Sequence, residues 1–289
     1  MQVVEVFSGS FIPNSYDKMA NQLLRRIYGW LRRFIFHVLS VGPLPNHIAF
    51  IMDGNRRYAR KKKLPETEGY RIGFFALMSI LKYCHELGIK HITIFAFSID
   101  NFRRRPEEVQ FIMDLMHEKM QGLLEDGNFA KRYGVRVSFV GNLKLLSEKL
   151  RATALKAMEA TAENTEIVLK VCMAYTAIDE IVHAVEESCH EKWEKGTQVT
   201  GAKLESPNPV IKLREIEKKM YISVAHNPDI LIRTSGETRL SNFILWQTQS
   251  CLLYSPAALW PELGLRHLVW AVLNFQRHYH YLEKMKKQS

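Results

Sequence analysis

The sequence predicts an α/β fold: a central, mainly parallel sheet flanked by helices, with an amphipathic helix ahead of it. Two observations lead there. From His47 onward, short apolar runs bounded by turn residues alternate with longer segments of helical periodicity, the pattern of parallel strands joined by crossover helices. The chain of 289 residues is also 47% apolar, enough for a large core with no disulfide or cofactor needed for stability.

The elements follow in chain order. Residues 1–20 lack periodicity and read as an irregular, mobile lead-in. In 21–39, Leu24, Ile27, Leu31, Phe34, Ile35 and Val38 share one helical face and Arg25, Arg26, Arg32 and Arg33 the other, with Tyr28 and Trp30 flanking the apolar side. Such a helix suits an anionic membrane surface; the plainer alternative is a helix folded over the protein's own core. Gly42, Pro43 and Pro45 break it. The chain thus divides into an arm, 1–44, and a main domain, 45–289. Strands are expected at 48–52, 92–97, 135–140, 167–174 and 230–232, and helices near 68–87, 107–126, 147–162, 177–194 and 266–285. Gly88 ends the first of these helices and Pro106 opens the second. The polar stretch 194–209, with Gly and Pro, reads as a surface loop.

Composition narrows the partners. A net charge of +10 admits nucleic acid, an anionic membrane or a phosphorylated substrate. No zinc finger, RNA-recognition signature or long basic tail favours nucleic acid. Cys84, Cys172, Cys189 and Cys251 are scattered and read as reduced thiols, not zinc ligands. No apolar run is long enough to span a bilayer, and the first twenty residues lack the pattern of a secretory signal.

Three strand ends carry chemistry. The first is HIAFIMDGNRR: Asp53 closes a strand, Gly54 allows a tight turn, Asn55 is placed to cap a helix, and Arg56 and Arg57 fall in its first turn. A carboxylate, a turn of backbone N–H groups and two guanidiniums suit a metal and a diphosphate. The second, SIDNFRRR, delivers Ser98, Asp100, Asn101 and Arg103 to Arg105. The third, DILIRTSGETRLSNFILWQ, places Arg233, Arg239 and Ser241 around a turn at Gly236, with Phe243, Leu245 and Trp246 read as core. Each alone is also explained by solvated charges. Three strand ends presenting Arg with Ser, Asn or Asp favour one shared site, because ligands of open α/β sheets sit outside the carboxyl ends of the strands.

Together these motifs resemble the cis-prenyltransferase family, the undecaprenyl and dehydrodolichyl diphosphate synthases and plant rubber transferases, from about Pro45 to the C-terminal helix. The ending ALWPELGLRHLVWAVLNFQRHYHYLEK is especially similar to plant members. The resemblance implies an undecaprenyl diphosphate synthase-like fold and repeated addition of isopentenyl diphosphate to an allylic diphosphate such as farnesyl diphosphate, with new cis double bonds. It implies Mg²⁺ held at Asp53, with Asn55, Arg57 and the amides around Gly54 and Arg56 beside the allylic diphosphate. Ser98, Asn101 and Arg104 would position the reacting ends, and Arg233, Arg239 and Ser241 would hold the homoallylic diphosphate. It further implies an apolar product tunnel, for which one helix offers Phe74, Leu77, Met78 and Leu81 and the next Val109, Ile112, Met113, Met116 and Met120. Ordinary core packing would give the same stripes.

This sequence departs from the family's pattern in places. Tyr70 stands where many members have His, and Glu66 where many have Arg. Leu252 lies in the segment where bacterial homodimers place a Glu. The ending LEKMKKQS lacks the R-x-G motif of single-subunit members, which in the eukaryotic branch comes from a non-catalytic subunit resembling the Nogo-B receptor. The expectation is therefore a heteromeric catalytic subunit, attached peripherally to the cytosolic face of the endoplasmic reticulum or to another lipid-bounded particle. Two other readings are a non-catalytic scaffold of the same fold and a basic membrane-binding protein without chemistry. The complete DGNRR turn argues against the scaffold, which need not keep an Asp and paired arginines at one strand end.

Overall fold

Strand β1, His47–Ile51, is buried along its whole length, as a strand covered by helices on both faces must be. In the computed structural model, which describes residues 15–125, 127–198, 210–222 and 227–287 (15–25 and 195–198 by backbone alone), β1 lies inside a six-stranded sheet. Its partners are β2 (His91–Ser98) on one side and β5 (Ile230–Arg233) on the other. Outside β2 come β4 (Ile167–Tyr175) and β3 (Val135–Val140); outside β5 comes β6 (Leu252–Tyr254). Every pairing is parallel, so all six carboxyl ends point the same way. Register then does the positioning: Ile51 pairs with both Phe95 and Arg233, so the chain leaving β1 emerges beside the last residue of β5.

The helices are α1 (Ser15–Leu39), α2 (Asn55–Lys61), α3 (Glu66–Leu87), α4 (Pro106–Gly122) and the short α5 (Phe129–Arg132). They continue with α6 (Glu148–Ala160), α7 (Ala177–Gln198), α8 (Leu213–Lys219) and α9 (Leu265–Lys286). α3 stops at Gly88, whose φ of 78° closes the last turn, and Pro106 opens α4 where its missing N–H costs nothing. The core around β1 and β5 includes Ile48, Phe50, Leu231, Ile232 and Phe275.

Several expectations are corrected. Residues 15–20, read as irregular, are helical, so α1 starts earlier than 21; residues 1–14 lie outside the described residues. α7 runs through 194–198, the first part of the expected loop, whose remainder at 199–209 lies outside the described residues. β6, α5 and α8 were not foreseen. With three, four and seven residues they are too short to show a period. Leu245, read as core, is 41% exposed, whereas Phe243 is fully buried.

The chain divides into two units after Gly42. In the first, α1 exposes Ile27, Trp30, Leu31, Phe34 and Val38, and the Trp30 and Phe34 rings stack with centroids 5.7 Å apart. Among the described residues no helix is long and apolar enough to cross a membrane.

Candidate active site

The turn after β1 is built around Gly54. Its φ is 109°, and a Cβ there would lie 2.5 Å from Ser235 Oγ, so no side chain fits. Gly54 is also the residue that precedes α2. Asn55, expected to be the cap, is instead the first helical residue and makes no capping bond. Its Nδ2 donates to Met52 O at 3.4 Å, and its Oδ1 is buried without a partner among the described residues. α3 crosses so close to α2 that a Cβ on Gly73 would lie 2.3 Å from that Oδ1.

Asp53 is held by its backbone from the loop after β5. Thr234 Oγ1 accepts from Asp53 N at 3.0 Å and donates to Asp53 O at 2.6 Å. Ser235 Oγ and Trp260 N both donate to the same carbonyl at 2.9 Å. Its side chain faces two guanidiniums: Arg233 Nη2 at 2.9 Å and Arg57 Nη2 at 3.1 Å. Partial burial pushes the Asp53 pKa up, but the hydrogen bonds and charges of Arg233 and Arg57 outweigh it and hold the carboxyl below its usual range.

Arg233 is the buried hub, its side chain only 7% exposed. Beyond Asp53, its Nη1 donates to Ser241 Oγ at 2.6 Å and to Arg239 O at 2.5 Å. Ser241 sits at a φ of 49°, an unusual conformation that brings its hydroxyl to Arg233. Arg239 itself pairs with Glu237, which also receives Arg57 at 3.5 Å. One carboxylate therefore bridges the first and third motifs.

At the end of β2, Ser98 and Asn101 cap each other's turn. Ser98 Oγ accepts from Asp100 N at 3.1 Å, and Asn101 Oδ1 accepts from Ser98 N at 3.2 Å. Their acceptor oxygens are thus engaged locally, which leaves the hydroxyl proton and the amide Nδ2 for a ligand. Arg104 donates to Glu108 Oε1 at 2.9 Å and to Tyr70 Oη at 3.1 Å, and Arg56 reaches Glu108 Oε2 at 3.3 Å.

All eleven site residues expected from the sequence line one cavity of about 1330 Å³. Its wall continues away from the arginines into apolar side chains: Phe74, Leu77, Met78 and Leu81 from α3, then Ile112, Met116 and Met120 from α4. Val109 and Met113, expected in the same stripe, are not part of the lining. Sequence reading missed Glu108, Glu237, Thr234, Ser235 and Trp260. Thr234, Ser235 and Glu237 stand in the RTSGE run beside Arg233, where an Arg-rich turn needing carboxylate and hydroxyl partners was a usable signal.

The profile of the undecaprenyl diphosphate synthase family matches residues 51–282, a span that contains the whole of this cavity. The chain belongs to the cis-prenyltransferase family. It is 57% identical over 279 residues to dehydrodolichyl diphosphate synthase 6 of Arabidopsis thaliana, covering 93% of this chain and 95% of that one. It is 52% identical over 280 residues to a rubber cis-polyprenyltransferase of Hevea brasiliensis, covering 94% and 98%. A dehydrodolichyl diphosphate synthase complex subunit of Homo sapiens is 41% identical over 257 residues, 88% of this chain and 74% of that one. Among solved structures, lavandulyl diphosphate synthase from Lavandula x intermedia in complex with dimethylallyl diphosphate matches with a TM-score of 0.70 and 28% identity, covering 81% of this chain and 95% of that one.

Among the described residues no three His, Cys, Asp or Glu side chains converge to form a complete metal cage. For a cis-prenyltransferase this donor set still fits Mg²⁺, a hard cation that commonly takes one or two carboxylates and completes its shell with substrate phosphates and water. Asp53, 26% exposed, is one of the carboxylates that line the cavity.

Proposed function

We propose that this chain is a catalytic cis-prenyltransferase subunit that condenses isopentenyl diphosphate units onto farnesyl or another allylic diphosphate, giving a long-chain cis-polyprenyl diphosphate of the dolichol or rubber type. The observation that carries this reading is a cavity with Asp53, Arg57, Arg233 and Arg239 at one end and an apolar wall from α3 and α4 beyond them. A cationic mouth binds diphosphates, and an apolar wall accepts a growing hydrocarbon. No observation favours the scaffold alternative.

In this reading Arg57, with Asn55 and the turn at Gly54, holds the allylic diphosphate, while Arg233, Arg239 and Ser241 hold the homoallylic one. Both substrates enter a single cleft, which supplies the orientation for carbon–carbon bond formation. As the allylic C–O bond breaks, negative charge grows on the departing diphosphate, and preorganised guanidiniums stabilise it. Mg²⁺ at Asp53 would add charge neutralisation on the same oxygens. Ser98, Asn101 and Arg104 orient the reacting ends. The new bond forms from the isopentenyl double bond as the allylic C–O bond breaks, and the proton lost from the adjacent carbon passes to the departing diphosphate. Glu237 pairs with Arg57 and Arg239, so a diphosphate at these two guanidiniums would compete with that carboxylate.

Incubation with farnesyl diphosphate, labelled isopentenyl diphosphate and Mg²⁺ is expected to give polyprenyl products that carry many labels per chain. Folded protein that incorporates none, with or without a partner subunit, would overturn the reading.

We further propose a Nogo-B receptor-like partner whose C-terminal R-x-G completes the homoallylic site. The human relative named as a complex subunit supports this. So do exposed apolar side chains on α9 (Trp270, Leu273, Tyr281) and on α7 (Ile178, Val182, Trp193).

Attachment to the cytosolic face of the endoplasmic reticulum, through the basic amphipathic face of α1, is also proposed. Each basic residue near an anionic surface contributes about 1 kcal/mol. Replacing Arg25, Arg26, Arg32 and Arg33 by Gln is expected to reduce flotation with anionic vesicles and to flatten its salt dependence. Unchanged flotation would assign anchoring to something other than these arginines.

A further inference from the structure

Tyr70 departs from the His that the family resemblance implies at this position, and its surroundings in this chain are specific. Its hydroxyl donates to Glu108 Oε1 at 2.7 Å and accepts from Arg104 Nη1 at 3.1 Å. Glu108 is 9% exposed and takes charge or hydrogen bonds from three separate segments: Arg56 on α2, Tyr70 on α3 and Arg104 in the loop before α4. The groups that face Tyr70 are therefore Arg56 from α2, Arg104 from the loop, and Glu108 together with the Phe111 ring from α4. Two cations and one anion surround a neutral hydroxyl. Tyr70, Arg56 and Arg104 all line the cavity mouth.

We infer that Tyr70 is a positioning residue whose uncharged hydroxyl keeps Glu108 and Arg104 in one arrangement across the neutral pH range, so that the grip on an allylic diphosphate does not vary with the protonation of the protein. This rests on the reading that Arg56 and Arg104 face that diphosphate. The physical contrast is with imidazole, which changes charge within the physiological range and would alternately add and remove a cation among Arg56, Arg104 and Glu108. Burial first, and then the hydrogen bond to Glu108, push the phenol up to about 12 against the opposing charges of Arg104 and Arg56, which keeps it a donor at neutral pH. At one turn's remove, Glu66 replaces a second expected cation and pairs with Arg60 at 2.7 Å and with Arg105 at 3.0 Å. The two departures act together. The chain gives up two titratable or cationic groups and retains arginines held by carboxylates.

The test is calorimetric binding of farnesyl diphosphate to the full chain, wild type against Tyr70→His and Tyr70→Phe, from pH ~6 to ~8.5. The ratio of variant to wild-type Kd cancels the titration of the substrate itself. For Tyr70→His that ratio is expected to rise about tenfold as pH climbs through the imidazole's ordinary ~6.5, because the added cation is lost. For Tyr70→Phe it should stand about tenfold high at every pH, because Glu108 loses a donor. Thermal melts check folding; if Tyr70→Phe does not fold, the pH profile of Tyr70→His decides alone. A flat Tyr70→His ratio, or wild-type affinity in folded Tyr70→Phe, overturns the inference while leaving the proposed function standing. Failure of the wild type to bind farnesyl diphosphate would overturn the reading beneath it, and this inference with it.

Discussion

Asp53→Asn is expected to lower turnover by on the order of 100- to 1,000-fold while the protein stays folded. The two parts of this statement have separate causes. The turn survives because it is held through the Asp53 backbone, by Thr234, Ser235 and Trp260, and none of those bonds uses the carboxylate. Activity falls because, in the proposed reading, the Asp53 carboxylate at the cavity wall would carry a cation onto the leaving diphosphate. Asn is preferred to Ala for a physical reason. Arg233 is almost fully buried and pairs with Asp53 at 2.9 Å. Removing one partner of a buried pair costs roughly 3–5 kcal/mol, because the other charge is left uncompensated. Asn keeps an oxygen for Arg233 Nη2, and Ser241 Oγ and Arg239 O still hold Nη1. Asp53→Ala should therefore lose both activity and melting temperature, and Asp53→Asn chiefly activity. Label incorporation at saturating Mg²⁺, read beside a thermal melt, separates the two. Wild-type turnover in folded Asp53→Asn would remove the carboxylate from the reaction.

Strand β1 and its exit were legible because a buried parallel strand is a continuous apolar run and Gly54 marks the turn. The convergence of the three motifs was legible for the same reason: parallel strands put their exits on one edge, so Asp53, Ser98 and Arg233 had to meet. The long-range partners of the arginines were not legible. Glu108 lies one turn into α4 and Glu237 in a loop. In sequence each looks like an ordinary solvated acid; in the structure each neutralises two guanidiniums. The pairs Arg104–Glu108 and Arg239–Glu237 are local in sequence, but those to Arg56 and Arg57, 52 and 180 residues away, leave no local pattern. The same limit explains Asn55. Its side chain is a good cap by type, but the left-handed Gly54 takes the position before α2, and a Cβ on Gly73 of α3 would lie 2.3 Å from its Oδ1. The stripe on α4 was half right because periodicity gives a face and not a depth: Ile112, Met116 and Met120 reach the cavity, and Val109 and Met113 do not.

Strong activation of the purified chain by a second subunit ending in R-x-G is the other large expected effect. The proposed homoallylic side has Arg233 and Arg239, but both are committed within the chain: Arg233 to Asp53 and Ser241, and Arg239 to Glu237. Arg233 Nε is a buried donor with no partner among the described residues. A further guanidinium and a close backbone N–H would therefore add to the hold on the second diphosphate. The chain's own last helix is placed to do neither. Lys286, near the end of α9, pairs with Asp229 at 2.7 Å, and Asp229 precedes β5 and accepts from Asn46 N and His47 N at the start of β1. That is the amino edge of the sheet, roughly 13 Å along β5 from Arg233. A tail from another subunit has no such tether. The purified chain alone should incorporate isopentenyl units weakly, and a candidate partner should raise the rate at least about tenfold, the scale of one charge-assisted contact or more. Deleting the partner's last few residues should abolish the gain while co-purification persists, which separates a contribution to the site from assembly. Full processive synthesis by a preparation shown free of any partner would mean that the chain completes its own site, and the heteromeric reading would fall.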